Sequence, residues 1–421
     1  MRSRLLTGAL PVFLLGSLAA ATELKAEDKP DNGVPDFSIA QDLPYDAARA
    51  SMAASGVKYG INYTGEYYDV TSGNVPHGSS YNGLIETYVD LDLGKLLGWK
   101  GAAIHANAFY IHGEGPSAGG PFAVSNLEGD ETFRLDELWL EQSLLDDKLK
   151  LKFGSIAADT IFFISDTAAV FLNGTFGWPG IVALNTLAGG PGYPLTSMGA
   201  VVTYTPNDNL TLIGAVFNGS PANPFADDPQ KDNNHGTEFR FGDGELMFLE
   251  GAYKYDVGLP GTVKVGGWKQ FNAPEGVYTD FRTQAGVNSD YGIYGIIDQQ
   301  IWKGGDDKGV NVFGRISGSP EDRSPMDFYF DTGILFSGFV PGRAKDTFGA
   351  AFGYGQISND LLHSPDAEFS ATHESVLELN YVAQIKNGIS LAPDFQYFWD
   401  PGAVAEVDHA AVWGARLKVS Y

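Results

Sequence analysis

The sequence of 421 residues contains no cysteine, so the chain forms no disulfide bonds. A small secreted scaffold normally depends on such bonds, whereas a large barrel does not. Beyond its first residues the chain also lacks any run of about 20 apolar residues, which excludes a membrane-spanning helix. Basic residues are scarce, with 27 Lys and Arg against 52 Asp and Glu and a net charge of −25. This acidic balance argues against nucleic acid as a partner, because phosphates require Lys and Arg.

Glycine and aromatic residues, in contrast, are abundant. The chain has 53 Gly, 27 Phe and 20 Tyr. In a chain with few long apolar runs, this composition favours β-sheet over helix. Two classes of protein fit it: a secreted soluble protein, and a β-barrel whose membrane signal is weak in each segment.

The N-terminal residues are typical of an export signal. Two arginines precede an apolar stretch over 5–18 and three alanines at 19–21. We therefore expect residues 1–21 to be a signal peptide. Its removal takes away two arginines and no acids, which changes the net charge to −27. Residues 22–56 are expected to be a polar leader with one short helix over 45–55.

From residue 57 onward, apolar and polar side chains alternate in almost every segment. At the C-terminus, for example, Trp413, Leu417 and Val419 alternate with Arg416 and Lys418. Such alternation is typical of a strand that separates lipid from water. The pattern predicts about sixteen strands, near 57–68, 84–93, 101–112, 134–145, 148–156, 197–206, 209–218, 245–256, 261–272, 289–301, 309–317, 326–337, 346–357, 373–386, 388–400 and 409–421.

The connections between these strands alternate in length. Those after even-numbered strands are mostly short, such as 146–147 and 387–388, and those after odd-numbered strands are mostly longer, such as 113–133 and 157–196. This asymmetry predicts an all-β fold, a transmembrane antiparallel up-and-down β-barrel over 57–421, rather than a soluble sandwich. The sheet must close, because an open edge would leave unpaired backbone groups in hydrocarbon. About sixteen strands enclose an aqueous channel.

The longest connection, 157–196, is too apolar for a freely hydrated loop. It contains Phe162, Phe163 and Phe171 among other apolar residues. A long loop with apolar content is normally packed or functional. Inside a wide barrel the available space is the lumen, so we predict an inward-folded constriction loop. An external lid packed on other loops is the alternative.

Several runs of the sequence resemble the carbohydrate-selective porin family of the OprB type. The resemblance covers the chain from about residue 45 to Tyr421, and it implies a sixteen-stranded outer-membrane channel that admits glucose and related sugars. Asp136 departs from the family pattern, where a larger residue such as Tyr is expected, and the acidic stretches 225–233 and 364–368 are individual to this chain. The runs that carry the resemblance are GINYTGEYYDV (60–70), LDLGKLLGWKGA (91–102), RLDELWLEQ (134–142) and FLNGTFGWP (171–179).

A sugar presents hydroxyl groups that donate and accept hydrogen bonds, and it has an apolar C–H face. A selective constriction therefore needs polar groups beside an aromatic ring. In the loop, Trp178 is the candidate stacking platform, and Asn173, Asp159 and Asp166 are candidates to bind hydroxyls. The alternative for Trp178 is that its ring pins the loop to the wall.

The strand before the loop supplies Arg134, Glu137, Trp139 and Glu141 as further candidates. The period-two count places Glu137, Trp139 and Glu141 on one face of this strand. The alternatives are that Trp139 packs beneath the loop, and that Arg134 and Glu137 form a salt bridge in the lumen. Weak binding suffices for passage, since a millimolar site corresponds to about 4 kcal/mol and tighter binding slows release.

Other charged residues are expected to line the lumen, where keeping the wall soluble is the favoured role over specific recognition. They are Arg416, Lys418, Lys150, Lys152, Glu86 and Asp90. The acidic excess favours cations and neutral solutes over anions. The alternative to a sugar channel is therefore a general, weakly cation-preferring porin without sugar selectivity.

No enzyme, cofactor or metal site is expected. The seven histidines lie outside G-x-S-x-G and H-E-x-x-H contexts, and each is interpreted as a lone histidine. The expected partners are carbohydrate solutes within the channel, and outer-membrane lipid and lipopolysaccharide around it. The sequence leaves both a monomer and a homotrimer open.

Overall fold

The computed structural model describes residues 33–44, 46–116, 118, 120–305, 308–365 and 367–421. The predicted signal peptide, residues 1–21, lies outside the described residues. Among the helices of the described segments, none is long and apolar enough to cross a membrane.

Within the described residues, sixteen antiparallel strands close into one barrel, because the first strand (Val57–Gly73) pairs with the second (Gly78–Asp92) on one side and with the last (His409–Ser420) on the other. This confirms the predicted fold. The strands are β1 (Val57–Gly73), β2 (Gly78–Asp92), β3 (Ala102–Gly113), β4 (Thr132–Leu144), β5 (Leu149–Ile156), β6 (Ser197–Asn207), β7 (Leu210–Asn218), β8 (Glu245–Asp256), β9 (Pro260–Phe271), β12 (Asp290–Lys303), β13 (Gly309–Gly318), β14 (Met326–Ser337), β15 (Thr347–Ile357), β16 (His373–Lys386), β17 (Ile389–Trp399) and β18 (His409–Ser420). The remaining two, β10 (Tyr278–Thr279) and β11 (Gly286–Val287), form a separate small ribbon between β9 and β12.

The first hairpin is longer than the sequence pattern predicts. Strand β1 extends to Gly73 and β2 begins at Gly78, which leaves a connection of only 74–77. The added residues of β1 are mostly polar, so hydrophobic alternation does not mark them. They are held as a strand by backbone pairing with both β2 and β18. This hairpin is the exception to the rule of long connections after odd-numbered barrel strands.

The helices are short and are not part of the barrel wall. They are α1 (Ala47–Ser55), α2 (Leu93–Leu97), α3 (Gly174–Gly177), α4 (Gly180–Asn185), α5 (Pro229–Asp232) and α6 (Asn359–Leu362), with 3-10 turns at Ile39–Asp42, Ala158–Thr160, Ala168–Val170, Leu187–Gly189 and Pro401–Ala403. Helix α1 begins at the Asp46 cap and ends at Gly56, which has a φ of 102° that favours glycine. Its buried Arg49 lies over the rings of Tyr59 and Tyr421, which ties both ends of the barrel chain together.

The two faces of the wall differ in chemistry, as the alternation predicts. On β4 and β5, Glu141 pairs with Lys152, and the next pair along is Leu140 with Phe153. Phe153 is 58% exposed on the outer face. Most buried apolar side chains lie inside the barrel instead, in one cluster that includes loop 157–196. The core of this protein is therefore the filled part of its lumen.

Candidate functional site

Loop 157–196 folds into the barrel and is fastened there by polar side chains of the wall. Glu378 on β16 accepts hydrogen bonds from the backbone N–H groups of Leu172 (2.6 Å) and Asn173 (2.8 Å). Five strands away around the barrel, on β9, the Lys264 ammonium donates to the carbonyl oxygen of Ile164 at 2.8 Å. Wall side chains thus satisfy backbone groups that a buried loop would otherwise leave unpaired.

Aromatic rings fill the space between this loop and the wall. Phe162 stacks on Phe248 of β8 with ring centroids 4.9 Å apart, and Phe163 stacks on Tyr294 of β12. Phe163 has a φ of 61°, which is uncommon for a bulky residue. Strain of this kind persists only where the surroundings impose it, and here the loop is gripped on several sides.

The most extensive contact between the wall and the loop is made by a buried arginine on β13, Arg315, which is paired with Asp331 on β14. The Arg315 guanidinium Nε donates to Asp331 at 3.0 Å, and the two residues are 3% and 1% exposed. Its other N–H groups donate to four carbonyl oxygens of the loop, those of Phe163 (3.0 Å), Thr175 (3.0 Å), Phe176 (2.9 Å) and Gly177 (3.2 Å). The planar fork of an arginine suits such multiple acceptors. We call Arg315 and Asp331 the loop clamp.

Glycines on β15 make room for the loop at the wall. A Cβ atom on Gly349 would lie 2.9 Å from the Phe171 ring, and one on Gly353 would lie 3.2 Å from Thr175. Both positions face the lumen, since their cross-strand neighbours on β16 are Asn380 and Val376. The absence of side chains there lets the loop approach the backbone closely.

A second loop, 114–131, also enters the barrel, which the sequence did not predict. Phe122 is fully buried, and the Asn126 N–H donates to the Leu172 carbonyl of the first loop at 2.8 Å. Gln396 of β17 donates to the Val124 carbonyl at 2.8 Å. Burial raises the pKa of Glu128 in this loop to about 8, against the lowering effect of the Ser125 N–H and with a smaller raising effect of Glu66.

The position of Trp178 corrects the expectation of an open stacking platform. Its side chain is fully buried, and its indole N–H donates to the Gly189 carbonyl of the same loop at 2.9 Å. The ring lies against Phe163 and Phe248 with centroids 5.8 and 6.1 Å apart. A buried indole offers no face to a sugar, so these contacts match the alternative role of pinning the loop.

Two of the predicted hydroxyl-binding residues are also buried within the loop packing. Asn173 caps α3 through the Thr175 N–H and donates to Gln396 at 2.9 Å. Asp159 is 1% exposed and accepts a hydrogen bond from the Tyr193 N–H at 2.9 Å. Both side chains therefore serve the loop's own structure, whereas the third, Asp166, is exposed.

On β4, Arg134 and Glu137 are buried, but the described ion pairs do not join them. Arg134 is 1% exposed and donates to the Asn233 carbonyl at 3.1 Å, while Glu137 accepts from the Ala157 N–H at 3.0 Å. Glu137 thereby fixes the start of loop 157–196. The alternative role, a salt bridge between the two, is therefore not found among the described residues, and each side chain contacts a backbone group instead.

The remaining candidates on β4 are only half-buried. Trp139 stacks on His105 with ring centroids 5.0 Å apart, and Glu141 lies 3.4 Å from the Lys150 ammonium. Together with Asp166, these are the predicted site residues whose side chains are at least partly exposed. The loop clamp and Glu378 were not predicted, because their partners are backbone groups of a distant segment. The available signal was a charged side chain at an inward position of a strand.

Comparison with known proteins gives a consistent set of relatives. A family model described as carbohydrate-selective porin, OprB family, matches residues 76–421. Porin B of Pseudomonas aeruginosa is 24% identical over an alignment of 424 positions, which covers 89% of this chain and 89% of that protein. The high-pH structure of Pseudomonas putida OprB is 23% identical with a TM-score of 0.75, covering 89% of this chain and 96% of that one. The outer membrane channel DcaP of Acinetobacter baumannii is 10% identical with a TM-score of 0.54, covering 87% and 98%.

Proposed function

The chain belongs to the OprB family of carbohydrate-selective porins, and from this premise we propose that it lets glucose-like monosaccharides and related sugars diffuse passively across the outer membrane. The sugars pass through the water-filled part of the barrel and are held weakly at the constriction. The observation that carries the proposal is the placement of loop 157–196 inside the closed barrel, where the loop clamp and Glu378 hold it. A solute must then pass between this loop and the exposed part of the wall.

The chemistry of the accessible side chains supports a neutral hydroxylated solute. Glu141 and Asp166 supply acceptors, Lys150 supplies a donor, and Trp139 supplies an aromatic edge. The other five predicted residues contribute by holding loop 157–196 or the connection 219–244 in place rather than by touching the sugar. They are Trp178, Asn173, Asp159, Arg134 and Glu137.

Liposome swelling tests this function. We expect liposomes that contain the protein to swell faster with glucose than with another neutral solute of similar size. Equal rates for all small solutes would instead favour a general, weakly cation-preferring porin, in keeping with the net charge of −25.

A variant of the loop sharpens the test. Replacing a buried aromatic residue by alanine costs about 3–5 kcal/mol of packing free energy, so Trp178→Ala should displace the loop and reduce the preference for glucose. The matched control is Trp413→Ala, whose ring is 58% exposed on the outer face. This control should retain the preference of the unmodified protein.

A further inference from the structure

Four inward side chains on neighbouring strands form a continuous row along the lumen wall. Tyr88 on β2 stacks on His105 on β3, with ring centroids 6.3 Å apart and an angle of 21° between the ring planes. His105 stacks in turn on Trp139 of β4, at 5.0 Å and 19°. The Lys152 ammonium of β5 lies 4.0 Å from the centroid of the Trp139 ring. We call Tyr88, His105, Trp139 and Lys152 the wall row.

The strand register explains why these residues meet. His105 is the direct cross-strand partner of Trp139, and directly opposite Trp139 on β5 is Gly154, which carries no side chain. Lys152, two residues before Gly154, is therefore free to lean diagonally over the indole. Side chains stand roughly perpendicular to a sheet. The stacked rings of the row therefore expose their edges, rather than their faces, to the lumen.

Polar groups along these edges alternate between donors and acceptors. Asp90 accepts a hydrogen bond from Nδ1 of His105 at 2.7 Å, which leaves Nε2 as the imidazole's acceptor when the ring is neutral. The Lys152 ammonium, over the Trp139 ring, supplies a donor, and Glu141, the cross-strand partner of Lys152, supplies another acceptor. The side chain of Asp90 is 46% exposed and that of His105 is 16% exposed, so this pair is partly in contact with the aqueous channel.

Side chains of both charge signs lie on and beside the row. Asp90 and Glu141 are acidic, Lys150 and Lys152 are basic, and Lys150 and Glu141 lie 3.4 Å apart. Closely spaced donors and acceptors of this kind suit a neutral solute with adjacent hydroxyl groups, each of which donates and accepts.

We propose that the wall row, with Asp90 and Glu141, is a binding surface for the hydroxyl groups of a neutral sugar as it passes loop 157–196. The proposal rests on the proposed sugar channel and names the wall side of its weak site. His105 is the central residue, because Asp90 orients its ring and Trp139 and Tyr88 hold it in place.

Single-channel recording with glucose in a planar bilayer tests the row through His105→Phe. Phenylalanine keeps a ring between Tyr88 and Trp139 but removes both ring nitrogens, so the open-channel conductance should change little. The dwell time of glucose should fall by about three- to tenfold, the effect of losing one or two hydrogen bonds. The matched control is His112→Phe, which lies on the opposite face of β3 beside Tyr63 and Tyr110. It should leave the dwell time unchanged.

The outcomes separate the row from the channel itself. Unmodified protein that binds glucose, with His105→Phe equal to it, would overturn the wall row and leave the sugar channel standing. Unmodified protein without any response to glucose would overturn both. If His105→Phe does not assemble into the membrane, Asp90→Asn provides the same comparison, and an unchanged dwell time in that variant also overturns the row.

Discussion

Burial separates the single residues that hold the channel together from those that a solute can meet. Trp178, Asn173 and Asp159 are buried in the loop, whereas Asp166 is exposed and Trp139 is half-buried. Sequence alone identified these residues as a group, since they lie in or next to the longest loop. It could not sort them, because burial depends on how the loop folds against strands far away in the chain.

Glu128 is a single residue that makes the packing of loop 114–131 depend on pH. Its pKa is raised from 4.5 to about 8, mainly by burial in loop 114–131. A carboxyl group whose pKa is higher in the folded state favours that state when protonated, so the packing of this loop is strongest below pH 4.5. It weakens as the pH rises from 4.5 to about 8. Hydrogen exchange of this loop, corrected for the intrinsic exchange rate, should show decreasing protection over that range.

Two variants check the assignment to Glu128. Glu128→Gln stays neutral, so the protection of the loop should no longer fall between pH 4.5 and 8. Glu131→Gln changes an exposed carboxylate at the end of the same connection and should keep the fall. A pH dependence that persists in Glu128→Gln would contradict the account.

Among the elements, the strands were predictable and the interior of the barrel was not. Alternating side chains mark strands such as β5 and β18 locally, because one face meets lipid and the other meets water. Loop 114–131 has many small residues and little apolar sequence, so nothing local indicates that Phe122 is buried. Its position depends on contacts with loop 157–196 and with β17.

The loop clamp makes a prediction about loop 157–196 as an element. Arg315→Lys keeps the charge beside Asp331, but an ammonium group cannot reach four carbonyl oxygens at once. The loop should loosen, and the single-channel conductance and its noise should both rise. Removing one partner of a buried ion pair typically costs about 3–5 kcal/mol, so Arg315→Ala should have the larger effect.

The control for this prediction is a second arginine–aspartate pair. Arg343 pairs with Asp346 in the connection between β14 and β15, away from the loop. Arg343→Lys should leave conductance and noise as they are. Equal effects of Arg315→Lys and Arg343→Lys would show that the clamp does not set the width of the channel.

At the scale of the whole molecule, the sheet closes because the hydrocarbon of the membrane cannot accommodate unpaired strand edges. Sixteen paired strands leave no open edge in hydrocarbon and enclose a lumen wide enough for two folded loops. The sequence predicted this architecture because alternation and connection length are properties of the chain itself. In the proposed function, the solute preference depends on the few side chains that remain exposed once both loops are packed, and their identity needs the three-dimensional structure.

The most direct test of the sugar channel is a single-channel recording of the purified, unmodified protein with glucose added at increasing concentration. We predict discrete conductance steps that glucose interrupts reversibly, with interruptions that become more frequent as its concentration rises. Steps that glucose leaves unchanged at every concentration, or a bilayer that never conducts, would contradict the account.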